Sequence, residues 1–335
     1  FRIRTLPNNK MLRKFMGSEF LLLADVGATG NPKGVWREAE PFANFILFDP
    51  DPRASMQRSV GGALVYPVGL WFEQAQKTLS LAKNPEASTI YQFNDDVLKD
   101  FSNADSNKAV AEEIISVDSM DNVLFASEKR PDFIKIDAEG ADLDVLKGAR
   151  ECLNTNCLGV FVEVSFVERH KGAGFFGDTD KLMRENSFQL MDLFPERWVR
   201  ANKVSGIFTR HQVIWGDALY MINRKEFLRR LSAADPSKRR SIFFKFIFVL
   251  MLYQLHDYAT EIIECSYKEK LITEQDEIDA RLALNSAMGN APLNIAKLLA
   301  SIILSSVGLL LFIPVNHLWR NNLLFFRVQF GELCN

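Results

Sequence analysis

The sequence predicts a doubly wound α/β fold with a mostly parallel sheet, and three observations carry that prediction. Short apolar runs alternate with amphipathic stretches from Phe20 to Asn223, which is how a succession of βαβ units reads. The first run, Phe20-Leu21-Leu22-Leu23-Ala24-Asp25-Val26, is apolar almost throughout, as a strand buried on both faces requires. Acidic residues recur at the ends of these runs, at Asp25, Asp49 and Asp137, where open α/β sheets bind their ligands.

The remaining elements follow in order. After the glycine turn come strands at Phe45–Phe48, closed by Asp49-Pro50-Asp51-Pro52, and at Leu64–Val68. A hairpin is expected through Trp71-Phe72 and Thr78–Leu81, turning near Glu73–Gln76. Phe133–Asp137 and Gly159–Val164 are two further strands. Between them a helix from about Asp142 to Cys152 carries Asp142 and Asp144 in its first turn and Lys147 and Arg150 towards its end, matching the macrodipole at both ends. Phe188–Leu193 and Ala218–Ile222 complete a seven-stranded set. Beyond Asn223 strand signals give way to long helical periodicity. The expected division is therefore 1–224 for the α/β domain and 225–335 for an all-α region.

Composition excludes several classes. The 335 residues carry 40 Lys and Arg against 42 Asp and Glu, a net charge of −2, which gives no electrostatic footprint for nucleic acid. The four cysteines are scattered without a C-x-x-C pair and suit free thiols in a reducing, cytoplasmic setting. The four histidines form no zinc-binding spacing, so no metal site is expected. Phe1-Arg2-Ile3-Arg4 lacks an initiator Met and the apolar core of a leader peptide, a start compatible with a fragment that leaves the true N-terminus open.

Three motifs bear chemistry. In Asp25-Val26-Gly27-Ala28-Thr29-Gly30, glycines let the backbone turn sharply against a ligand, and Asp25 offers a carboxylate to a cationic amino group. A dinucleotide site would instead show G-x-G-x-x-G, with a helix N-terminus cradling pyrophosphate. Asp49, 24 residues beyond Asp25 by the numbering, stands where an acid accepts hydrogen bonds from vicinal ribose hydroxyls; standing alone, it reads equally well as an acidic turn. The third and strongest motif is Phe133-Ile134-Lys135-Ile136-Asp137-Ala138-Glu139-Gly140-Ala141-Asp142. Asp137 and Glu139 either line a reaction site or cap the following helix. Lys135, a charge inside an apolar strand, needs a partner, and both Asp137 and Glu163 are within reach of that role.

Taken together, D-V-G-A-T-G, F-D-P-D-P, D-F-I-K-I-D-A-E-G-A-D-L-D-V-L-K-G-A and V-F-V-E-V-S-F resemble the FkbM family of methyltransferases, in order from about Leu21 to Ile222. The resemblance implies a class I methyltransferase fold, S-adenosylmethionine as cofactor, and methyl transfer to a hydroxyl of a sugar, glycan or related small molecule. Carried onto this chain, Asp25, Gly27, Ala28 and Gly30 form the methionine-side pocket, Asp49 holds the ribose, and Asp137 and Glu139 face the reaction centre. A hydroxyl needs its proton removed as it attacks. Asp137 is the first candidate base, then Glu163, then His170. Where the family often has a tyrosine-containing loop, this chain reads Val167-Glu168-Arg169-His170-Lys171-Gly172, which leaves the acceptor open. Two alternatives are a degenerate, donor-binding scaffold docked through its helical tail and, with less in its favour, a nicotinamide-dependent oxidoreductase.

Two tail stretches are candidates for membrane contact. Residues 242–255 follow the basic cluster Lys238-Arg239-Arg240 and are mostly apolar, with Lys245 the one charge; too short to span, they suit a buried or interfacial helix. Residues 298–315 carry no charge and just reach spanning length, though Ser301, Ser305 and Gly308 form a small-residue stripe that also suits packing in a soluble core. Peripheral or anchored membrane association and core packing are both compatible with this pattern, and the sequence leaves the oligomeric state open.

Overall fold

A computed structural model describes residues 20–28, 34–51, 53, 62–82, 85–102, 109–125, 127, 129–201 and 210–289. The chain runs β1 (Leu21–Val26), α1 (Val35–Ala39), β2 (Ala43–Phe48), β3 (Leu64–Tyr66), β4 (Gly69–Leu70), β5 (Ala75–Ala82), α2 (Asp95–Leu98) and β6 (Ala109–Asp118). It continues with α3 (Met120–Phe125), β7 (Phe133–Ile136), α4 (Asp142–Lys147), α5 (Arg150–Thr155), β8 (Gly159–Ser165), α6 (Phe176–Glu185), β9 (Phe188–Trp198) and β10 (Gln212–Ile222). Helices α7 (Arg224–Ala233), α8 (Pro236–Leu252), α9 (His256–Lys268) and α10 (Glu274–Gly289) follow.

Seven strands form the central sheet in the order β3-β2-β1-β7-β8-β10-β9. The ladders from β3 to β8 are parallel, and β10 runs antiparallel to both β8 and β9. This is the doubly wound, mostly parallel seven-stranded sheet expected from the apolar runs. Strand order reverses between β1 and β7, so a crevice opens at their carboxyl ends, the usual ligand position in such sheets. The central strands are apolar because both faces are covered: Leu21, Leu23, Phe133, Ile134, Val160 and Val162 are all buried. Asp25 and Lys135 interrupt that pattern, and they are register partners on β1 and β7.

Two local expectations are corrected. The hairpin through Trp71-Phe72 and Thr78–Leu81 does not form. Instead β5 pairs antiparallel with β6, while the two-residue β4 pairs parallel with β6's far end, giving a second, three-stranded sheet. Trp71, Leu79, Ile115 and Val117 form its core with Ala141, so this small sheet roofs the crevice. The single helix expected from Asp142 to Cys152 is two short ones, α4 and α5, interrupted at Gly148-Ala149, where glycine disfavours a helix interior by about 1 kcal/mol.

The helices after Ile222 pack against the sheet. Arg230 donates to the carbonyls of Leu153, Thr155 and Cys157, and Lys245 pairs with Asp132 at 2.9 Å. The Tyr253 ring stacks on Phe133 with centroids 5.6 Å apart. Helix α8, which contains most of the 242–255 stretch, begins with the basic Lys238-Arg239-Arg240 and is apolar all round and buried from Phe246 to Leu252, as a core segment should be. Residues 1–284 make one compact unit and 285–335 a second, of which 285–289 are described. The change of character near residue 225 is therefore a change of secondary structure within the first unit. Among the described residues no helix is long and apolar enough to cross a membrane; the 298–315 stretch lies outside them.

Candidate active site

The crevice is built from the ends of β1, β2 and β7. At the end of β1, Gly27 has φ of 72°, a conformation that disfavours any side chain. Its amide and that of Ala28 both donate to the Phe48 carbonyl, at 3.0 and 3.2 Å, which fastens the turn to β2. Thr29 and Gly30, the rest of the motif, lie outside the described residues.

Past β2, the buried Asp49 accepts the Asp51 amide at 2.8 Å. Asp51 forms a bidentate pair with Arg53, which also reaches the Ala82 carbonyl and Ser88. Burial would raise the Asp51 carboxyl, but the Arg53 bonds prevail and hold it below its ordinary value. Asp49 is thus set on a braced turn facing the crevice.

At the end of β7, Asp137 continues the ladder by donating its amide to the Val26 carbonyl at 3.1 Å. Asp142 then accepts the amides of Ala138 and Gly140. It closes this tight turn, while the N-cap of α4, Ala141, has no side-chain bond. Glu139 takes a left-handed conformation, φ 46°, that is uncommon for a residue with a side chain, and Thr89 donates to its carbonyl at 2.6 Å. Burial and the nearby Asp137, Asp142 and Glu86, opposed by Arg169, raise the Glu139 carboxyl to about 7. Burial, opposed by the amide bonds, raises Asp142 to about 6.

The structure gathers Gly27, Asp49, Asp137 and Glu139 around one cleft whose apolar walls include Phe48, Leu70 and Val117. Asp25 is not on that lining. Its carboxylate sits just behind that lining, 3.2 Å from Lys135 Nζ, which is also 3.4 Å from Asp137. Lys135 is therefore partnered by Asp25 and Asp137; the expected alternative with Glu163 does not occur. Glu163, 5% exposed, pairs instead with Arg169, and the Arg169 guanidinium lies 5.4 Å from the centre of the Trp215 ring. Burial drives the Glu163 carboxyl well above its ordinary value despite that partner.

His170 is sealed between Phe93 and the Gly140 turn. Its ring centroid is 5.0 Å from that of Phe93, and a Cβ on Gly140 would come within 2.8 Å of Nδ1. Neither ring nitrogen has a hydrogen-bond partner among the described residues. Burial, helped by Arg169, lowers it to about 3, so the imidazole is neutral.

Sequence reasoning missed Asp217 as a site residue. It lies on β10 directly opposite Glu163, and Ile136 is level with Val162 on β8. Asp137, Glu163 and Asp217 therefore come level at the sheet's carboxyl edge, on adjacent strands. Burial and the charge of Asp137, opposed by Lys135, raise Asp217 to about 7. Among the described residues no group of His, Cys, Asp or Glu is arranged to hold a metal ion.

Residues 30–190 match the profile of the Methyltransferase FkbM domain. The chain contains an FkbM methyltransferase domain. That span takes in the ends of β2 and β7, and so Asp49, Asp137 and Glu139. Among solved structures, the chain is similar to an FkbM methyltransferase from Methylobacillus flagellatus KT, at 16% identity and TM-score 0.30, over 60% of this chain and 43% of that one. It is similar also to a TehB-like SAM-dependent methyltransferase from Corynebacterium glutamicum, at 13% identity and TM-score 0.30, over 63% and 85%. A third is magnesium protoporphyrin IX methyltransferase from Synechocystis PCC 6803, at 8% identity and TM-score 0.30, over 64% and 76%. No curated protein matches the chain.

Proposed function

We propose that the FkbM domain transfers a methyl group from S-adenosylmethionine to a hydroxyl of a sugar, glycan or related small metabolite. The observation that carries this reading is the sign of the cleft. Asp49, Asp137 and Glu139 line it together, with Asp25 beside them. Such a wall attracts a sulfonium and repels a pyrophosphate, which disfavours the nicotinamide alternative.

The residues present fit the donor. The Gly27 turn forms the β1 side of the cleft, the apolar walls suit a planar base, and Asp49, on its braced turn, can accept ribose hydroxyls. Ala28 continues that turn, and Asp25, next to the cleft through Lys135 and Asp137, is our candidate for the amino group. When bound, the donor supplies an already activated methyl group. The protein's part is to align an acceptor oxygen, exclude water and receive a proton.

Asp137 is the best placed receiver. Its side chain is 46% exposed, so an acceptor can reach it. Glu163 is committed to Arg169, and together they support the Trp215 ring, a surface against which a sugar face can rest. Glu139 adds negative charge to the cleft rim, and His170, neutral and enclosed, backs the Gly140 turn.

The test is calorimetric titration with S-adenosylmethionine and with NAD, followed by transfer from labelled donor to a deproteinised cell extract. The expected result is binding of the first ligand alone, label in a small-molecule fraction, and loss of label with Asp137→Ala. Donor binding without any transferred label favours the scaffold; NAD binding refutes the methyltransferase reading.

A further inference from the structure

On the donor reading just given, we propose that Lys135 binds the carboxylate at the amino-acid end of S-adenosylmethionine, so that the Asp25–Lys135 pair recognises the zwitterion as a unit. Asp25 and Lys135 are register partners on adjacent parallel strands, so they project side by side from one face of the sheet. Their charges are opposite and 3.2 Å apart. An α-amino acid carries an ammonium and a carboxylate on one carbon, the complementary arrangement at matching scale. Asp25 faces the ammonium, and Lys135 faces the carboxylate.

The charge count agrees. Asp25 and Asp137 against the single Lys135 leave one net negative charge. The donor's ammonium, sulfonium and carboxylate leave one net positive charge, so the complex is neutral. Without its carboxylate the donor would bring two positive charges to the same triad. Access is adequate as well as charge, since the side chains of Lys135 and Asp25 are 24% and 16% exposed. Burial lowers the affinity of Lys135 for its proton, but Asp25 and Asp137 more than offset this. Lys135 is therefore a permanent cation, and a permanent cation in an apolar strand can take a further anionic partner without changing protonation state.

If Lys135 merely neutralises its acidic neighbours, its removal strengthens binding of every cationic ligand alike and discriminates nothing. The two roles separate by calorimetry on the full chain with S-adenosylmethionine and decarboxylated S-adenosylmethionine as probes. The wild type should prefer the carboxylated donor by about tenfold or more, as expected for a charge-assisted contact. Lys135→Met should collapse that preference towards unity, and Lys135→Arg, which keeps the charge, should restore most of it. Thermal unfolding of each variant reports whether it is folded. A preference that survives Lys135→Met in a folded protein overturns the proposal, as does a wild type that binds both probes equally. A wild type that binds neither overturns this proposal together with the donor reading, whereas equal binding of both leaves the donor reading standing.

Discussion

Gly27 passes so close to Asp137 that a Cβ on it would lie 1.8 Å from the Asp137 carbonyl oxygen. Backbone cannot move out of the way as a side-chain tip can, and the β1 and β7 ends are hydrogen-bonded there. Gly27→Ala should therefore cost at least about 3 kcal/mol of stability. Gly34 supplies the control: its φ is also positive, at 58°, but nothing lies within 4 Å of its would-be Cβ. Gly34→Ala should cost less, about 1–2 kcal/mol from the strained backbone alone. Urea unfolding midpoints at constant slope measure both, and equal costs would mean that φ alone matters at these turns.

Glu139 holds a left-handed conformation that glycine would adopt freely. Strain of this kind persists where the side chain is needed. Glu139→Gly should leave the fold as stable or raise it by about 1 kcal/mol, while weakening donor binding because a carboxylate leaves the cleft rim. Thermal unfolding and calorimetry on the same preparation check the pair of signs. A variant both less stable and unchanged in binding would assign the residue a purely structural role.

The contrast between these two positions shows what could be read from sequence. Asp25, Asp49, Asp137 and Glu139 stand out because each is an acid at the end of an apolar run, and apolar runs locate strands buried on both faces. Of their partners, the Lys135–Asp137 pair was legible, two residues apart on one strand, and the others were not. That Lys135 meets Asp25 depends on the register between strands more than a hundred residues apart. That Glu163 meets Arg169 depends on the loop after β8 turning back over its own strand. Strand β6 escaped notice because its sheet has a wet face: Glu112, Ile114 and Ser116 are exposed while Ile115 and Val117 are buried, and the Glu-Glu-Ile-Ile run breaks the alternation. Asp217 reads as loop until β10 is known to begin at Gln212 and to lie antiparallel to β8. The alternation of Trp215, Asp217 and Leu219 was the signal available for it.

Asp49 offers a sharper test of the ribose assignment. Asp49→Asn keeps an oxygen for the Asp51 amide, so the turn is retained, but loses the charge that strengthens bonds from hydroxyl donors. The donor's dissociation constant should rise by about tenfold. The same substitution should matter much less for a 2′-deoxyribose donor analogue, which has already lost one of the two hydroxyls. Equal losses for both ligands, measured by calorimetry, would move the ribose away from Asp49.

The raised carboxyls make donor binding depend on pH in a definite direction. Glu139 and Asp217 lie at about 7 and Asp142 at about 6, so part of this acidic cluster is protonated at neutral pH. A bound sulfonium favours the ionised forms and lowers those values, which requires protons to leave on binding. Affinity should therefore climb as pH rises from about 5.5 to 8 and level off above. The free protein responds with the opposite sign. Its folded-state values lie above the ordinary carboxylate range, so the folded state holds protons that the unfolded state has released. Stability without donor should then fall as pH rises from about 4 to about 7 and level off above, and donor should restore it most at the alkaline end. Calorimetry in two buffers of different ionisation enthalpy counts the released protons directly. Asp217→Asn removes one group from that count while leaving Asp25, Lys135 and Asp49 in place; a proton count unchanged by the substitution would show that Asp217 lies outside the field of the bound cation.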